Sequence, residues 1–350
     1  MTQKFTYREV NQMGDYRVGI IGCGAIFPVH AETLAALDGV CIAAICDIDE
    51  TLAQQKAEQF GCAWYSDYRK MLEEANLDAV HICTPHYLHP IMAIDAANAG
   101  VNVFCEKPVS IQYDDAQRMI DAAKNNGVAL GVCFQNRYNP GSRLIRSALK
   151  SGRLGAVTSV RARLNWYRPD SYFSSAAWRG TLEQEGGGVV INQAIHTLDL
   201  IRYLVGDDVA FVDATVSNRA HPTIEVEDEA VGLIGFKNGV KASFYFMIYD
   251  DCDAPVELEI RCTNGVASIM GSSAQVKYND GTIECADGQD CSIEGKSYWG
   301  NSHNVAIARF YECLKQGMTP DIDGKEAAKT QQLVCALYQS GRGGGRVEIQ

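Results

Sequence analysis

The chain contains no run of apolar residues approaching the ~18 that a membrane span requires. The first fourteen residues, Met1 to Gly14, are polar and mixed in charge, without the apolar centre of a secretory leader, so a cytoplasmic protein is expected. Also missing is any Cys-x-x-Cys pair. The 13 cysteines are odd in number and scattered, which fits reduced core thiols better than disulfides or a zinc cage, and no metal is expected. A basic surplus is absent too: 31 basic against 43 acidic residues give a formal charge of −12, which argues against nucleic acid or an anionic membrane as partner. One segment breaks that trend. From Arg137 to Arg179 there are nine Lys or Arg and a single acid, Asp170, a pattern that suits an anionic substrate, a solvated face or a subunit contact.

What is present is an ordinary globular composition, 47% hydrophobic and 21% charged, in 350 residues, enough for two domains. Tyr16 to Ile21 is a short apolar run leading into Gly22-Cys23-Gly24-Ala25-Ile26, and a helical pattern follows. Strand, glycine turn and helix in that order make a phosphate cradle. A side chain at Gly24 would keep a pyrophosphate from the backbone N–H groups at the helix start, where the helix dipole favours negative charge. Phe27 stands where that fingerprint usually has a third small residue.

A second strand, Val40 to Cys46, terminates in Asp47, 25 residues after Gly22. An acid there can bind both ribose hydroxyls and would repel a ribose phosphate, which favours NAD over NADP; alternatively, Asp47 caps the helix that begins near Glu50.

The alternation continues with helices at Thr51–Phe60 and Tyr68–Glu74, the strand Ala79–Cys83, a helix at Ile91–Ala99, the strand Val101–Cys105, a helix at Asp114–Asn125 and the strand Val128–Phe134. This order predicts a parallel sheet, whose ligands bind beyond the carboxyl ends of its strands. Each strand end carries a polar cluster: Thr84-Pro85-His86-Tyr87-Leu88-His89, Glu106-Lys107-Pro108 and Gln135-Asn136-Arg137-Tyr138. His86 and His89 have no carboxylate beside them, so a cofactor or capping role suits them better than a metal. Lys107, fixed before Pro108, offers either a cation at the cleft or a surface lysine.

Beyond Pro140 the pattern changes. A helix is expected from Ser142 to Ser151. Next, Val160, Ala162, Leu164 and Trp166 alternate with Arg161, Arg163 and Asn165, the period of a half-buried strand. Strands follow at Val209–Ser217, Asp228–Phe236, Val240–Met247, Val256–Cys262 and Val266–Met270, forming an antiparallel sheet whose free face suits a subunit contact. The expected domains are 15–138, an α/β Rossmann dinucleotide-binding unit, and 139–350, an α+β substrate-binding unit with a large, mainly antiparallel sheet.

Gly186-Gly187-Gly188 precedes a run read as one helix, Val189 to Leu204, with Asn192 and His196 four apart on one face and Asp199 a turn further on. An amide and an imidazole together can hold a sugar hydroxyl while removing its proton, since imidazole titrates at ~6.5. Tyr167, Trp178 and Arg179 supply ring faces and a donor of the kind that bind sugars, though strand aromatics also build cores.

With these residues in hand, the chain resembles the Gfo/Idh/MocA superfamily, the glucose–fructose oxidoreductase and inositol dehydrogenase type, from about Tyr16 to Ser340. The matching segments are Gly22 to Ile26, Thr84-Pro85 with His89, Glu106-Lys107-Pro108 and the glycine-rich approach to His196. The resemblance implies that Lys107 and His196 are catalytic, with Asn192 beside them, and that Glu106 shapes the cofactor end. The cofactor set is then Gly22, Gly24, Ala25, Ile26, Asp47, Thr84, Pro85, His89, Glu106, Lys107 and Gln135. The substrate set is Lys107, Arg137, Tyr167, Trp178, Arg179, Asn192 and His196. It also implies a homodimer or homotetramer built on the second-domain sheet.

Many relatives carry Asp where this chain has Asn192, and Asn cannot take a proton. The run Gly188 to His196 is similar to members that oxidise the 3-position of glycosides and nucleotide sugars. The expected activity is therefore NAD-dependent hydride transfer with a secondary alcohol of a sugar or glycoside. The alternatives are a nucleotide-sugar 3-dehydrogenase, a redox-neutral NAD-dependent glycosidase and a non-catalytic NAD-binding sensor.

Overall fold

The computed structural model describes residues 15–287 and 302–349, and among them no helix is long and apolar enough to cross a membrane. Two compact units divide the chain. The first runs to Phe134 and includes His303–Lys329; the second runs from Gln135 and includes the chain from Thr330 onward. The return of His303–Lys329 to the first unit goes beyond the simple division after Tyr138 expected from the sequence.

In the first unit, β1 (Tyr16–Ile21), β2 (Val40–Cys46), β3 (Ala63–Tyr65), β4 (Ala79–Ile82), β5 (Asn102–Cys105) and β6 (Leu130–Val132) form a six-stranded sheet in the order β3-β2-β1-β4-β5-β6. Every pairing is parallel. The connecting helices are α1 (Phe27–Ala35), α2 (Glu50–Phe60), α3 (Tyr68–Glu74), α4 (His89–Asn98) and α5 (Tyr113–Asn126). Strand order reverses at the β1–β4 boundary, which opens a crevice at the carboxyl ends. The ladder holds those ends level: Gly22 N–H donates to Cys46 O, Cys83 N–H to Ile21 O, Glu106 N–H to Ile82 O and Cys133 N–H to Cys105 O, at 2.8–3.0 Å.

Helix ends follow side-chain chemistry. Asp49 caps α2 by accepting from Leu52 N–H, and Asp67 caps α3 by accepting from Arg69 N–H. β3 was not anticipated from the sequence, being only three residues long with little burial.

The second unit is built on a nine-stranded sheet. Its strands are β7 (Val157–Asn165), β8 (Val209–Ser217), β9 (Glu229–Phe236), β10 (Lys241–Met247), β11 (Glu257–Cys262), β12 (Gly265–Met270), β13 (Ser273–Tyr278), β14 (Ile283–Ala286) and β15 (Val347–Glu348). Their order is β14-β13-β12-β11-β7-β10-β9-β8-β15. The sheet is antiparallel except between β7 and β10, which run parallel, so it is mainly antiparallel as expected. β7 is inserted between β10 and β11 from far earlier in the chain, and that long connection frees its direction.

The alternation read in β7 is observed: Val160, Ala162 and Leu164 are buried, while Arg161 and Arg163 point outward and pair with Glu259 and Glu257 on β11. The remaining helices are α6 (Pro140–Lys150), α7 (Asp170–Ser174), α8 (Ile195–Val205), α9 (His303–Lys315) and α10 (Gly324–Gly343). The described cysteines are free thiols.

Candidate active site

The turn after β1 is shaped by glycine for a steric reason. Gly22 has φ +98°, and a Cβ there would lie 2.7 Å from Cys83 O. At Gly24 a Cβ would meet nothing within 4 Å, so the space above the turn is open for a phosphate group. Phe27 departs from the usual small residue because its ring turns inward. It is 1% exposed and packs edge-on to Phe60, which leaves the turn clear.

Asp47 sits at the end of β2 with Oδ2 accepting from Cys23 N–H at 2.7 Å and Oδ1 accepting from Asp49 N–H at 3.0 Å. It therefore ties the second strand to the glycine turn, while capping of α2 falls to its neighbour Asp49. Burial, reinforced by Asp47, pushes the Cys23 and Cys46 thiols up to about 12, which keeps them unreactive.

At the ends of β4 and β5 the buried His89 acts as a clamp. Its Nδ1 lies 2.7 Å from Pro108 O and its Nε2 2.8 Å from Thr84 O. Burial holds the ring below the ordinary histidine pKa against the pull of those carbonyls. The Lys107–Pro108 peptide is cis. Glu106 is buried, with Oε2 accepting from Lys107 N–H at 3.2 Å.

Behind Glu106 lies a chain of groups that no local pattern along the chain connects. His30 Nε2 is 2.9 Å from Glu106 Oε1, His30 Nδ1 is 2.8 Å from His81 Nδ1, and His81 Nε2 is 2.9 Å from the Tyr311 hydroxyl. A carboxylate only accepts, so His30 donates through Nε2 and accepts through Nδ1. His81 must then donate through Nδ1 and accept from the Tyr311 O–H. Burial alone would raise the Glu106 pKa. The hydrogen bond from His30, with the Lys107 ammonium charge nearby, instead holds it well below the usual carboxylate range. His303 is pushed down to about 4 by burial. Glu106, Cys133 and His303 bring ligand-type atoms within 4.8 Å of one another, all three buried.

In the second unit the run Val189 to Val205 is not one helix. Val189–Gln193 is a π-turn, closed by Ala194 N–H to Val189 O at 2.7 Å, and α8 starts at Ile195. Glu227 enforces the break by accepting from Gly188 N–H at 2.9 Å, Val190 N–H at 3.0 Å and the Tyr338 hydroxyl at 2.9 Å. The triple glycine allows this close approach: a Cβ at Gly188 would lie 1.9 Å from Glu227 O, and one at Gly187 1.9 Å from the Tyr338 hydroxyl.

Despite the break, Asn192 and His196 are the two residues between Val189 and Arg202 that are not buried. His196 Nε2 lies 3.5 Å from Gln135 Nε2. The Asn192 amide donates to Glu185 and, at 3.2 Å, to the Tyr172 hydroxyl, which also accepts from Arg179. Arg179 lies over the Tyr172 and Trp178 rings, at 4.3 and 4.7 Å from their centroids. Tyr167 is 48% exposed, its N–H held by Asp253.

Asp199 does not extend the Asn192–His196 face, because it is 1% exposed and accepts from Arg137 Nε and NH2 at 2.7 and 2.6 Å. The basic segment is largely paired in the same way, through Arg153–Glu284, Arg161–Glu259, Arg163–Glu257 and Arg168–Asp253. Glu185 was missed in the sequence, where its one signal is an acid directly before three glycines.

A parallel sheet in Rossmann order with an open glycine turn and an acid at the end of β2 defines a dinucleotide-binding oxidoreductase. The chain belongs to the GFO/IDH/MocA oxidoreductase family. Residues 16–134 match the family's NAD-binding Rossmann domain and residues 142–268 its C-terminal domain. It is 30% identical to the WlbA dehydrogenase of Bordetella pertussis, solved in complex with NADH and UDP-GlcNAcA, with TM-score 0.85 over 97% of this chain and 98% of that one. It is 28% identical to a D-glucoside 3-dehydrogenase of Escherichia coli over 95% of this chain and 97% of the relative. With a myo-inositol 2-dehydrogenase of Thermotoga maritima it shares 31% identity over 64% of this chain and 66% of the relative.

Proposed function

We propose that this protein oxidises a secondary alcohol of a sugar or glycoside at the 3-position, with His196 as general base and Lys107 as the cation that balances charge on the alcohol oxygen. The observation that carries the reading is the exposure pattern: from a buried stretch, Asn192 and His196 alone emerge, beside a Tyr172–Arg179–Trp178 rim suited to a sugar ring. Gly22 to Ile26, Asp47, Thr84-Pro85 and Lys107 hold the dinucleotide, with His89, Glu106 and Gln135 fixing the loops. Held by those residues, NAD would supply the acceptor for the carbinol hydrogen and its electron pair. His196 accepts the hydroxyl proton and becomes imidazolium. The O–H bonding pair left on the oxygen forms the second C–O bond as the hydride departs, and the Lys107 ammonium offsets the negative charge that grows on the oxygen meanwhile.

Nicotinamide absorbance followed against neutral glycosides, free sugars, inositols and nucleotide sugars tests the substrate class. On the sugar that turns over, His196→Ala lowers kcat by ~10²–10⁴-fold. Near-normal rates in both His196→Ala and Lys107→Ala proteins would refute the roles.

A nucleotide sugar is the second reading, favoured by the likeness to WlbA dehydrogenase. The pairing of Arg153, Arg161, Arg163 and Arg168 with acids of their own unit favours a neutral glycoside instead. A substrate KM that rises steeply with salt supports the nucleotide sugar. For assembly, the open sheet face is the proposed homodimer or homotetramer contact. Val231 and Met270 stand 44% and 53% exposed there, beside the Arg161–Glu259 and Arg163–Glu257 pairs. Sedimentation velocity decides it.

A further inference from the structure

The buried line from Tyr311 through His81 and His30 to Glu106 has only one consistent direction. Both imidazoles are wholly buried, and Tyr311 and Glu106 are nearly so. Because the carboxylate only accepts, the proton of each neutral ring has one allowed place, Nε2 of His30 and Nδ1 of His81. That arrangement needs a donor at Nε2 of His81, and the Tyr311 hydroxyl stands there at 2.9 Å. Without that O–H, His81 is free to carry its proton on Nε2 instead. Its Nδ1 would then accept from His30, and His30 would reach Glu106 only by carrying protons on both nitrogens, as an imidazolium.

The direction is stable at working pH. Burial raises the Tyr311 hydroxyl well above the ordinary phenol range and keeps His81 well below the ordinary histidine range, so the first remains a donor and the second remains neutral. Glu106 thus receives a hydrogen bond that brings no charge with it. Around the same carboxylate stand His303 on α9, pushed down to about 4 by burial, the Cys83 and Cys105 thiols, raised by burial, and Cys133. The other Glu106 oxygen accepts from the Lys107 N–H, and the Lys107 ammonium lies within the field of the carboxylate.

We propose that His30, His81 and Tyr311 are positioning residues that give Glu106 a hydrogen bond but no charge, leaving the carboxylate as the counter-ion that keeps Lys107 in place and protonated. This rests on the reading of Lys107 as the cation of the reaction, and it names what preserves that cation. An imidazolium at His30 would cancel the carboxylate charge and leave the Lys107 ammonium without its balance.

Ring ¹⁵N labelling of histidine reads the line without turnover. In the NAD-loaded wild type the two-bond ¹⁵N–¹H patterns of His30 and His81, assigned by their loss in His30→Gln and His81→Gln, are those of an Nε2–H and an Nδ1–H ring. They stay so between about pH 6 and pH 9. In Tyr311→Phe, where Nε2 of His81 has lost its donor, the His81 pattern departs from the pure Nδ1–H form. A doubly protonated His30 in the wild type, or a His81 pattern indifferent to Tyr311→Phe, overturns the inference.

Competitive acetylation of Lys107, followed by mass spectrometry across pH, reads the charge. Glu106→Gln removes the counter-ion, so Lys107 becomes reactive about one pH unit lower. His30→Lys sets an ammonium against the carboxylate and shifts Lys107 in the same direction. His30→Gln keeps a neutral donor and leaves the Lys107 titration where it is in the wild type. A merely structural role makes the two His30 variants alike, and equal Lys107 titrations in both overturn the proposal. If Glu106→Gln does not fold, the His30 pair carries the comparison alone. Shifts as expected in a protein whose Lys107→Ala variant turns over normally support the relay and overturn instead the role of Lys107 in the reaction.

Discussion

Glu106 and Glu185 are both buried carboxylates, 7% and 1% exposed, yet one is held firmly ionised and the other titrates near neutrality. Burial pushes both upward, so the difference lies in their partners. Glu106 has an imidazole N–H at 2.9 Å, with Lys107 adding favourable charge. Glu185 has a peptide N–H and a neutral amide, with the Glu227 charge opposing Arg179. Two neutral donors do not offset desolvation as a hydrogen-bonded basic network does. One carboxylate is thereby a fixed anion beside Lys107 and the other a proton-dependent element beside Asn192.

The largest effect comes from breaking the first arrangement. His30→Leu leaves the Glu106 charge buried without its Oε1 donor, and unfolding in urea shows a loss of about 3–5 kcal/mol. Adding Glu106→Gln to that variant recovers part of the loss, because the stranded charge has gone. A His30→Leu protein as stable as wild type would mean that Lys107 and the backbone suffice to hold the anion.

A smaller effect sharpens the contrast through pH. Glu106, with a depressed pKa, contributes stability that is present above the unfolded carboxylate range and is lost in acid. Glu185 is raised, so its contribution is complete below the unfolded pKa and disappears as pH rises through about 7. The stability of wild type relative to Glu185→Gln therefore falls by on the order of 3 kcal/mol between acid and mildly alkaline pH. A flat difference, measured by urea unfolding at several pH values, would place Glu185 in the ordinary carboxylate range.

The two regions were also unequally legible in the sequence. The parallel sheet, its glycine turn and the strand-end clusters are local patterns: apolar runs, turn residues and helical spacing sit next to one another in the chain. The alternation of β7 is local in the same sense. By contrast, His81 meets Tyr311 across 230 positions, and no periodicity signals such a pairing. The same holds for the return of His303–Lys329 to the first unit and for the parallel insertion of β7 beside β10. The break between Val189 and Ile195 leaves no mark in a run that is buried at nearly every position, because no change of apolar period accompanies it. What produces it is Glu227, which accepts from Gly188 and Val190 from more than thirty positions away.

The smallest effect asks the question of partners once more, for two acids two residues apart. Asp47 and Asp49 are chemically identical, but Asp47 accepts from Cys23 N–H in the glycine turn while Asp49 accepts from Leu52 N–H at the start of α2. Asp49→Ala therefore removes a helix cap, at a cost of about 1 kcal/mol in urea unfolding, and leaves NAD affinity by calorimetry unchanged. Asp47→Asn retains one acceptor but offers the Cys23 N–H a donor in one of its two orientations, so its cost falls on the turn and on NAD affinity rather than on α2. If Asp49→Ala weakened NAD binding as much as Asp47→Asn does, the two acids would act as one unit through the 3.0 Å contact from Asp49 N–H to Asp47. The division between an acid of the glycine turn and a helix cap would then have to be abandoned.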